Sequence, residues 1–380
     1  MKIDRIEVFH LQTPQNAAKP GGETILVRMV SGDVSGWSEV SPGPLPKFGG
    51  EWTASAYLCV SSLLAPRIAG QTITDGISLH EKMRDIAGNR YAKAAIDMAW
   101  WDLKARLENK PLHQGLGGTK RLIEVGTMID QLPTAGDFQQ ALTAAKEAGY
   151  ARIELKFRPG WAIEMLNFAR SELGAWPLHA DVDGGLAMEH DEILYRFDDF
   201  MLEFVEQPLA PDDLVCHAML QDAIQTPISL DESISTASQA DMAIDLKSCR
   251  HINIRPDKLG GLTPAMQVHD LCGEHKINCH VGAGLQEEIG LRHAMALSSK
   301  NICVYPADFY RNESILYPVI GDPIEASLTP IEESDFANRR LGDRTDSLKV
   351  ALWDAPGIGI EPDLSQIESL VVAKSVHGGE

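Results

Sequence analysis

Cysteines are few in this sequence, and none is placed to form a recognisable site. Six occur among 380 residues, scattered and without a C-x-x-C pair, which argues against a disulfide framework or a zinc site and for reduced thiols. Long apolar runs are also absent: none reaches the roughly 18 residues of a membrane span. The opening MKIDRIEVFHLQTP reads as a charged strand rather than a signal peptide. These absences predict a soluble cytoplasmic protein.

Positive charge is scarce as well. The chain has 34 lysines and arginines against 54 aspartates and glutamates, a net charge of −20, which disfavours nucleic acid and anionic membranes as partners. The hydrophobic share of 44% and the charged share of 23% are those of an ordinary globular protein. A chain of this length is expected to form two domains, or one large α/β domain with an extension.

The chain divides into two parts with different sequence patterns. Residues 1 to about 120 contain two β-like runs, IDRIEVFHLQ and ETILVRMVSG, and then helical segments that end in AAIDMAWWDLKARLENK. From about 122 to 330, short apolar strands such as RIELKF and HINIRP alternate with amphipathic helices such as EMLNFARSEL. Strands and helices that alternate in this way form parallel sheets covered by helices. The predicted fold class is therefore α/β.

Charged residues end five successive predicted strands at a nearly constant interval. Lys156, Asp181, Glu206 and Asp231 follow one another every 25 residues, and Arg255 follows after 24. A (β/α)8 barrel of roughly 200–250 residues needs about 25–30 residues per unit. The interval therefore predicts a barrel of this type, in which these strand ends converge on the face that carries the chemistry.

Three of these strand ends are carboxylates, which repel one another unless a cation lies among them. Asp181, Glu206 and Asp231 are therefore predicted to hold one divalent ion through oxygen ligands, with Mg²⁺ expected and Mn²⁺ as an alternative. The neighbouring Asp183 and Glu232 are expected to face away from the ion or to orient its ligands. The alternative is that each carboxylate only caps the helix after its strand.

Several segments resemble a known family. HADVDGG, FVEQPL, SLDESI and INIRPDKLGGLTPAMQVHDLC look like successive barrel segments of the enolase superfamily, in its muconate-lactonizing-enzyme branch. RIELKFRPGW is similar to the second-strand K-x-K motif of o-succinylbenzoate synthases and N-acylamino-acid racemases, and AAIDMAWWDLKARLENKPL resembles the helix that closes the family's N-terminal capping domain. The resemblance implies that Asp181, Glu206 and Asp231 are the Mg²⁺ ligands and that Lys156 matches the second lysine of the motif.

The resemblance also implies an architecture. Residues 1–122 would form an α+β capping domain, residues 123–345 a TIM-like barrel, and residues 346–380 a tail that returns to the capping domain. Association into a homo-oligomer is expected on the same ground.

The chemistry implied by the resemblance is removal of the proton next to the carboxylate of a small substrate, through an enolate. A metal on the carboxylate stabilises that charge as it forms, and a lysine whose pKa is lowered by nearby cations can take the proton. Lys156 is the predicted base. The alternative is that Lys156 only joins the three acids in a salt-bridge cluster.

Two positions depart from the family pattern. Glu154 stands where the motif has its first lysine, and Arg255 stands at the sixth-strand end, where the family carries a second catalytic lysine. Because arginine stays protonated, Arg255 is a poor base but a good electrostatic clamp. Racemisation needs a proton acceptor on each face of the substrate. The departures therefore favour one-base chemistry, either a syn β-elimination of the o-succinylbenzoate synthase type or a cycloisomerisation.

A second base would have to come from another residue. His280 lies 25 residues after Arg255 and fits the interval at the seventh strand, with Asp257 as a conceivable partner that lies past its strand end. Alignment through GLQEEIG, however, puts the seventh-strand histidine of other superfamily branches at Gly284. A structural role is the expectation for His280, and an N-acylamino-acid racemase or dipeptide epimerase is the alternative function.

Substrate contacts are expected from the capping-domain loops TPQNAAKPGGE and PLPKFGGEW, which would close over the barrel mouth. An apolar, partly aromatic wall and a cation for a second anionic group are predicted there. The candidates are Phe48, Trp52 and Trp161 for the wall, Lys19 for the cation, and Gly282 and Gly284 at the end of the seventh strand. Packing beneath the Pro-Gly turn is the alternative for Trp161.

Two classes of function remain open at this point. The first is an Mg²⁺-dependent lyase or isomerase that acts on a small carboxylate. The second is a non-catalytic relative that keeps the metal site to bind a small acid, and its support is limited to Glu154 and Arg255. The intact ligand set and Lys156 favour the enzyme.

Overall fold

The computed structural model describes residues 1–12, 22–47, 49–130, 132–157, 160–284, 288–309, 324–330 and 346–379. Within these ranges the chain forms two β-sheets, one of four strands and one of ten, together with α-helices. No helix in the described ranges is long and apolar enough to cross a membrane.

The strands, in chain order, are β1 (Arg5–Gln12), β2 (Glu23–Ser31), β3 (Val34–Val40), β4 (Leu122–Ile129), β5 (Arg152–Lys156), β6 (Leu178–Asp181), β7 (Val205–Glu206), β8 (Ile228–Leu230), β9 (His251–Ile254), β10 (Asn278–Val281), β11 (Ala307–Asp308), β12 (Ala326–Pro330), β13 (Asp346–Ala351) and β14 (Val371–Gly378). The α-helices are α1 (Thr53–Cys59), α2 (Ala65–Ile68), α3 (Gly76–Glu81), α4 (Arg90–Leu107), α5 (Leu112–Gly115), α6 (Ala135–Glu147), α7 (Ala162–Leu173), α8 (Asp191–Leu194), α9 (Leu214–Ala223), α10 (Ala237–Asp245), α11 (Pro256–Leu259), α12 (Leu262–His275), α13 (Glu288–Ser298) and α14 (Leu364–Ser369).

The smaller sheet is antiparallel, with strand order β14–β1–β2–β3. The turn from β2 to β3 passes through Gly32, whose φ of +57° lies in the left-handed region that favours glycine. Its N–H donates to the Asp4 carboxylate at 2.8 Å. Strand β14 pairs with β1, so the C-terminal strand completes the N-terminal sheet. The domain boundaries expected at residues 122 and 345 stay predictions.

The long helix α4 lies directly on this sheet. At Gly36 of β3, a Cβ atom would lie 2.2 Å from the backbone nitrogen of Leu103, so the close approach requires glycine. The buried Asp102 carboxylate accepts hydrogen bonds from the backbone N–H groups of Trp37 and Ile358, each at 2.7 Å. Asp102 therefore ties the helix to the sheet and to the C-terminal segment.

The larger sheet closes into a barrel. Strands β4 to β10 are parallel neighbours in chain order, and β11 pairs with the other edge of β4. An isolated parallel bridge between Cys279 and Cys303 links β10 to the segment that leads into β11. Strands β4–β11 thus surround one axis, which confirms the predicted (β/α)8-type barrel with a second α+β unit. Strands β12 and β13 add an antiparallel extension beside β4.

The barrel strands are short and buried because both of their faces are covered. Every residue of β6, β8 and β9 is buried. Helices α6, α9 and α10 begin at side-chain caps, where Thr134, Asp213 and Thr236 accept a hydrogen bond from the N–H group three residues later. Each strand therefore ends in a loop on one common face before the next helix starts.

Helix α4 begins near that face and is capped by a residue distant in sequence. The Glu51 carboxylate accepts hydrogen bonds from the N–H groups of Arg90, Tyr91 and Ala92, at 2.5, 3.1 and 3.4 Å. A carboxylate at a helix N-terminus satisfies donors that have no partner within the helix and opposes the positive end of the helix dipole. Glu51 therefore joins the loop after β3 to the start of α4.

The Glu51→Ala variant should lose about 1–2 kcal/mol of the free energy of unfolding, because three backbone donors lose their acceptor. Chemical denaturation of the purified protein measures this loss. Glu51→Gln is the matched control, since it keeps a carbonyl acceptor and should lose less. Equal stability of the alanine variant and the wild type would contradict the capping role.

Candidate active site

A cavity of about 310 Å³ lies at the carboxyl ends of the parallel barrel strands. The loop after β3 and the start of α4 supply part of its lining, and the strand ends supply the rest. The first group is Ser41, Pro42, Lys47 and Tyr91. The acidic lining residues are Asp130, Glu154, Asp181, Asp183, Glu206, Asp231, Glu232 and Asp308, and the remaining ones are Met128, Lys156, Asn253, Arg255, Ala283 and Gly284.

The register of the strands brings the predicted site residues together. Lys156 is the bridge partner of Asp181, and Asp181 is the bridge partner of Glu206. Asp231 follows the end of β8, the next strand along the sheet. One strand-helix unit therefore occupies each 25-residue interval, and the four side chains reach the same cavity.

Three carboxylates surround Lys156. Its Nζ contacts the Asp181 carboxylate and lies 2.9 Å from Asp183 Oδ1 and 3.5 Å from Glu154 Oε1. Burial alone would lower the pKa of Lys156, but these carboxylates outweigh burial and raise it above its usual value. The expectation that cations lower this pKa is therefore not met in this arrangement, because the charged groups in contact with Lys156 are acids.

Asp231 contacts two cations. The Nζ of Lys258 contacts both its carboxylate and its backbone carbonyl, and Arg255 Nη1 lies 3.6 Å from its Oδ2. Burial would raise the pKa of Asp231, but Lys258 and Arg255 outweigh burial and lower it to about 2. Sequence reasoning missed Lys258. The available signal was a lysine three residues after a strand end that carries site residues.

Glu206 carries the least compensated charge of the three predicted ligands. Asn253 Nδ2 donates to its Oε1 at 2.8 Å, while its buried Oε2 has no hydrogen-bond partner among the described residues. Burial, together with the charges of Asp181 and Asp231, raises the pKa of Glu206 well above its usual value. This carboxylate needs a positive group beside it. Asn253, which orients Glu206, was also missed by the sequence reasoning.

The two neighbouring acids differ in their surroundings. Asp183 contacts Lys156, and its N–H donates to Asp181 Oδ1 at 3.1 Å. Glu232 has a buried Oε2 without a hydrogen-bond partner in the described ranges. Burial, and after it the charge of Asp231, raises the pKa of Glu232 to about 8. Asp183 therefore orients Lys156 and Asp181, whereas Glu232 adds a further buried carboxyl group to the cavity, one whose pKa is raised despite the nearby Lys258.

The donor set fits a hard divalent cation. No three acidic, histidine or cysteine side chains in the described part of the chain already form a metal-binding cluster. Lysines contact two of the proposed ligands, Asp181 and Asp231. The three proposed ligands nevertheless all offer oxygen donors, and burial raises the pKa of Asp181 to about 7. Buried carboxylates with raised pKa values on adjacent strands are what a cation such as Mg²⁺ would stabilise.

Arg255 lies across the barrel from Lys156. Strands β5 and β9 are four positions apart in the eight-stranded barrel, so their ends face each other. Arg255 Nη2 donates to Asp257 Oδ2 at 3.1 Å. Burial would lower the pKa of Arg255, but Asp257, Tyr91 and Asp231 outweigh burial and raise it. Arg255 is thus a permanently charged group, and Asp257 is its partner rather than a partner of His280.

His280 points into the barrel interior, beneath the cavity. Its Nδ1 lies 2.8 Å from His251 Nε2, and the Phe204 ring stacks on both imidazoles. Burial holds the pKa of His280 well below its usual value. His280 Nε2 is 4.0 Å from Glu206 Oε2, and His280 does not line the cavity. These surroundings support the structural role expected for it.

The predicted substrate-binding residues differ in whether they line the cavity. Gly284 lines the cavity, while Gly282 is buried against Asn253, where a Cβ atom would lie 2.2 Å from the amide oxygen. Trp161 packs on Phe138 with ring centroids 5.2 Å apart, and Trp52 is 38% exposed; neither is part of the described lining. Lys19 and Phe48 lie outside the described residues.

Comparisons with known proteins find relatives that match most of the chain. The family description "Mandelate racemase / muconate lactonizing enzyme, N-terminal domain" matches residues 16–117, and "Enolase C-terminal domain-like" matches residues 137–366. The o-succinylbenzoate synthase of Geobacillus kaustophilus is 35% identical over 91% of this chain and 88% of its own length. The N-succinylamino acid racemase of Thermus thermophilus is 34% identical over 75% and 77%. The crystal structure of an enolase superfamily member from Listeria innocua has a TM-score of 0.86 at 25% identity, covering 99% of this chain and 98% of that one.

The fold and the site together define a class: a barrel enzyme with acids and one lysine at adjacent strand ends, facing a second α+β unit. The chain belongs to the mandelate racemase/muconate lactonizing enzyme family of the enolase superfamily. Its relatives are named as synthases and racemases, so this protein is a lyase or isomerase of that family. The non-catalytic alternative is thereby set aside.

Proposed function

We propose that this protein is an Mg²⁺-dependent enzyme that removes the α-proton of a small carboxylate substrate with Lys156 as its single base. The reaction would be a syn β-elimination of the o-succinylbenzoate synthase type or a cycloisomerisation. The supporting observation is that Lys156 and Arg255 line one cavity from opposite strands of the barrel. Of these two cations, only a lysine can give up its proton readily enough to act as a base.

The three carboxylates Asp181, Glu206 and Asp231 are the residues that would hold the ion. When bound there, a divalent cation would supply positive charge beside the substrate carboxylate and stabilise the negative charge that develops as the α-proton leaves. Glu206 Oε2, which has no hydrogen-bond partner in the part of the chain that the structure describes, and the raised pKa values of Asp181 and Glu206 support this assignment.

Lys156 must be neutral when it accepts the proton. Asp181, which contacts its ammonium, is also a proposed ligand of the ion, and a carboxylate that binds a cation attracts the ammonium less strongly. Asp183 and Glu154 remain to orient the lysine and to stabilise its charge once the proton has arrived. In a syn elimination the same ammonium can then pass its proton to the leaving group, because both groups depart on one face.

Arg255 would act as a clamp on the opposite side. Its contact with Asp257 fixes one edge of the guanidinium, and its charge can bind an anionic oxygen of the substrate. Tyr91, which also lines the cavity, keeps its proton because burial raises the pKa of its phenol. Arg255 and Tyr91 are therefore both unsuited to act as a second base.

An N-acylamino-acid racemase or dipeptide epimerase is the second candidate. It is favoured by the relative named N-succinylamino acid racemase, which is 34% identical over 75% of this chain. That reaction requires a proton acceptor on each face of the α-carbon. The two candidates therefore differ in the number of bases.

The Arg255→Lys variant tests the number of bases. Wild-type enzyme should exchange the α-proton of an N-succinyl amino acid with solvent from one face only, with retention and little racemisation. Arg255→Lys keeps a positive charge, loses the fork geometry, and should gain some inversion, because a lysine there can accept a proton. Each enantiomer is incubated in D₂O, and deuterium incorporation and optical rotation are followed together.

Arg255→Gln is the control for this experiment, since it removes the charge without adding a base and should gain no inversion. Wild-type enzyme that interconverted both enantiomers as fast as it exchanged the proton would contradict the one-base proposal, and His280 would be the next residue to replace. A separate assay distinguishes elimination from cycloisomerisation. Product formed from a β-hydroxy carboxylate would indicate elimination, whereas product formed from an unsaturated dicarboxylate would indicate cycloisomerisation.

A further inference from the structure

The seam at which the barrel closes carries a cluster of thiols. Strand β10 meets the segment before β11 through the parallel bridge between Cys279 and Cys303. Cys272 and Cys303 are near enough to Cys279 to raise the pKa of its thiol, which donates to the Ile302 carbonyl at 3.3 Å. Sequence spacing did not indicate this cluster, because its members come from β10, from α12 and from the loop after α13.

The geometry of the bridge suits a covalent link between Cys279 and Cys303. Residues paired across parallel strands lie roughly 4.8 Å apart, within the roughly 4.4–6.8 Å that separates the Cα atoms of a disulfide. Residues paired across parallel strands also point to the same face of the sheet, so the bridge places the side chains of Cys279 and Cys303 on one face. Cys279 thus points away from the barrel interior that the adjacent His280 occupies.

Cys303 is the member of the cluster that a small oxidant reaches first. Cys303 is 4% exposed, whereas Cys272 and Cys279 are fully buried. The neighbouring Cys279 thiol, and to a smaller extent Lys120 and Lys300, lowers the pKa of the Cys303 thiol despite its burial. A thiol that ionises more easily reacts faster with peroxides.

We propose that Cys279 and Cys303 are an oxidation site, at which a peroxide converts the two thiols into a disulfide that staples the closing seam of the barrel. The Cys303 thiolate attacks one peroxide oxygen and releases water or an alcohol, which leaves a sulfenic acid. The Cys279 thiol then attacks the Cys303 sulfur and releases water. The peroxide is reduced by two electrons, and the two thiols are oxidised by two. This inference does not depend on the proposed function.

Peptide mapping tests the site directly on the full-length protein. Reduced protein is freed of reductant and treated with hydrogen peroxide, and the remaining thiols are alkylated before digestion. Trypsin cleaves after Lys276, Arg292 and Lys300, so Cys272, Cys279 and Cys303 fall on separate peptides. The expected product joins the Cys279 and Cys303 peptides and is lighter than their sum by two hydrogen atoms.

Stability gives a second readout. The disulfide closes a loop that contains α13, so the oxidised wild-type protein should unfold at a higher temperature than the reduced protein, and dithiothreitol should reverse the shift. Cys303→Ser should lose both the linked peptide and the shift. Cys216→Ser is the matched control, because this half-buried thiol on α9 lies outside the cluster, and the variant should keep both.

Three results would overturn the proposal: a link between Cys272 and Cys279, a link that survives in Cys303→Ser, or peroxide consumption at Cys216 with the cluster left reduced. Cys303→Ala serves as a second variant if serine disturbs the buried site. The peptide map of the wild-type protein decides the pairing even if neither variant folds.

Discussion

The Lys156→Ala variant should lose roughly 10²–10⁴-fold in turnover, the contribution typical of a general base, and should stop exchanging the substrate α-proton with solvent. The physical reason is that Lys156 is the strand-end side chain of the cavity that can both accept and return a proton, across from the permanently charged Arg255. Turnover is measured on a carboxylate substrate of the wild-type enzyme, and exchange of its α-proton is followed in D₂O.

The Lys156→Arg variant distinguishes two possible roles of Lys156, that of a catalytic base and that of a residue that only forms ion pairs. An arginine at this position keeps the positive charge that Asp181, Asp183 and Glu154 surround, but it does not release its proton. If Lys156 is the base, both variants should be inactive while the arginine variant retains wild-type stability. Full turnover in Lys156→Arg would show that the lysine serves only as a counter-charge, and the assignment would be wrong.

Metal dependence is the second large effect. Chelation with EDTA should abolish turnover, and Mg²⁺ should restore it. Glu206→Gln should weaken Mg²⁺ binding by more than the roughly 10–100-fold that loss of an outer-shell partner costs. The reason is that Glu206, whose pKa the charges of Asp181 and Asp231 raise, presents a buried oxygen that no described residue contacts through a hydrogen bond. Isothermal titration calorimetry measures the binding in the absence of substrate.

Two further variants make the prediction for the metal site specific, because one should leave Mg²⁺ binding unchanged and the other should tighten it. Glu189→Gln changes an exposed acid and should leave Mg²⁺ binding unchanged. Lys156→Ala should tighten Mg²⁺ binding, because it frees the Asp181 carboxylate from the ammonium. Glu206→Gln should also stabilise the metal-free protein against heat, since it removes a buried charge whose pKa is raised. Equal Mg²⁺ affinity of Glu206→Gln and the wild type would place the ion elsewhere.

The arrangement of charges explains why substitutions at Lys156 should change Mg²⁺ binding, and why substitutions at the proposed metal ligands should change the protonation of Lys156. Two of the proposed ligands contact a lysine, Asp181 with Lys156 and Asp231 with Lys258. Among the described residues, no hydrogen-bond donor reaches Oε2 of the third ligand, Glu206. An ion that enters this site therefore competes with ammonium groups for two of its three carboxylates. Metal affinity and the protonation of Lys156 should consequently change together.

The amino-acid sequence by itself determined the barrel and the end of the barrel at which its acidic residues lie. Parallel strands all end on one face, and a strand-helix unit has a nearly constant length, so an interval of 25 residues between charged strand ends is sufficient to bring Lys156, Asp181, Glu206 and Asp231 to one cavity. The same pattern identified Arg255 and its departure from a second lysine.

Only the tertiary structure decided which groups neutralise these charges. Lys258 and Asn253 contact the proposed ligands, Tyr91 reaches the cavity from α4, and Cys279 meets Cys303 at the seam. These contacts join elements that are far apart in the chain, and they depend on strand register and side-chain direction rather than on spacing. The pKa of Lys156 is raised for the same reason: it is set by the sum of burial and neighbouring charges, and that sum exists only once the barrel has closed.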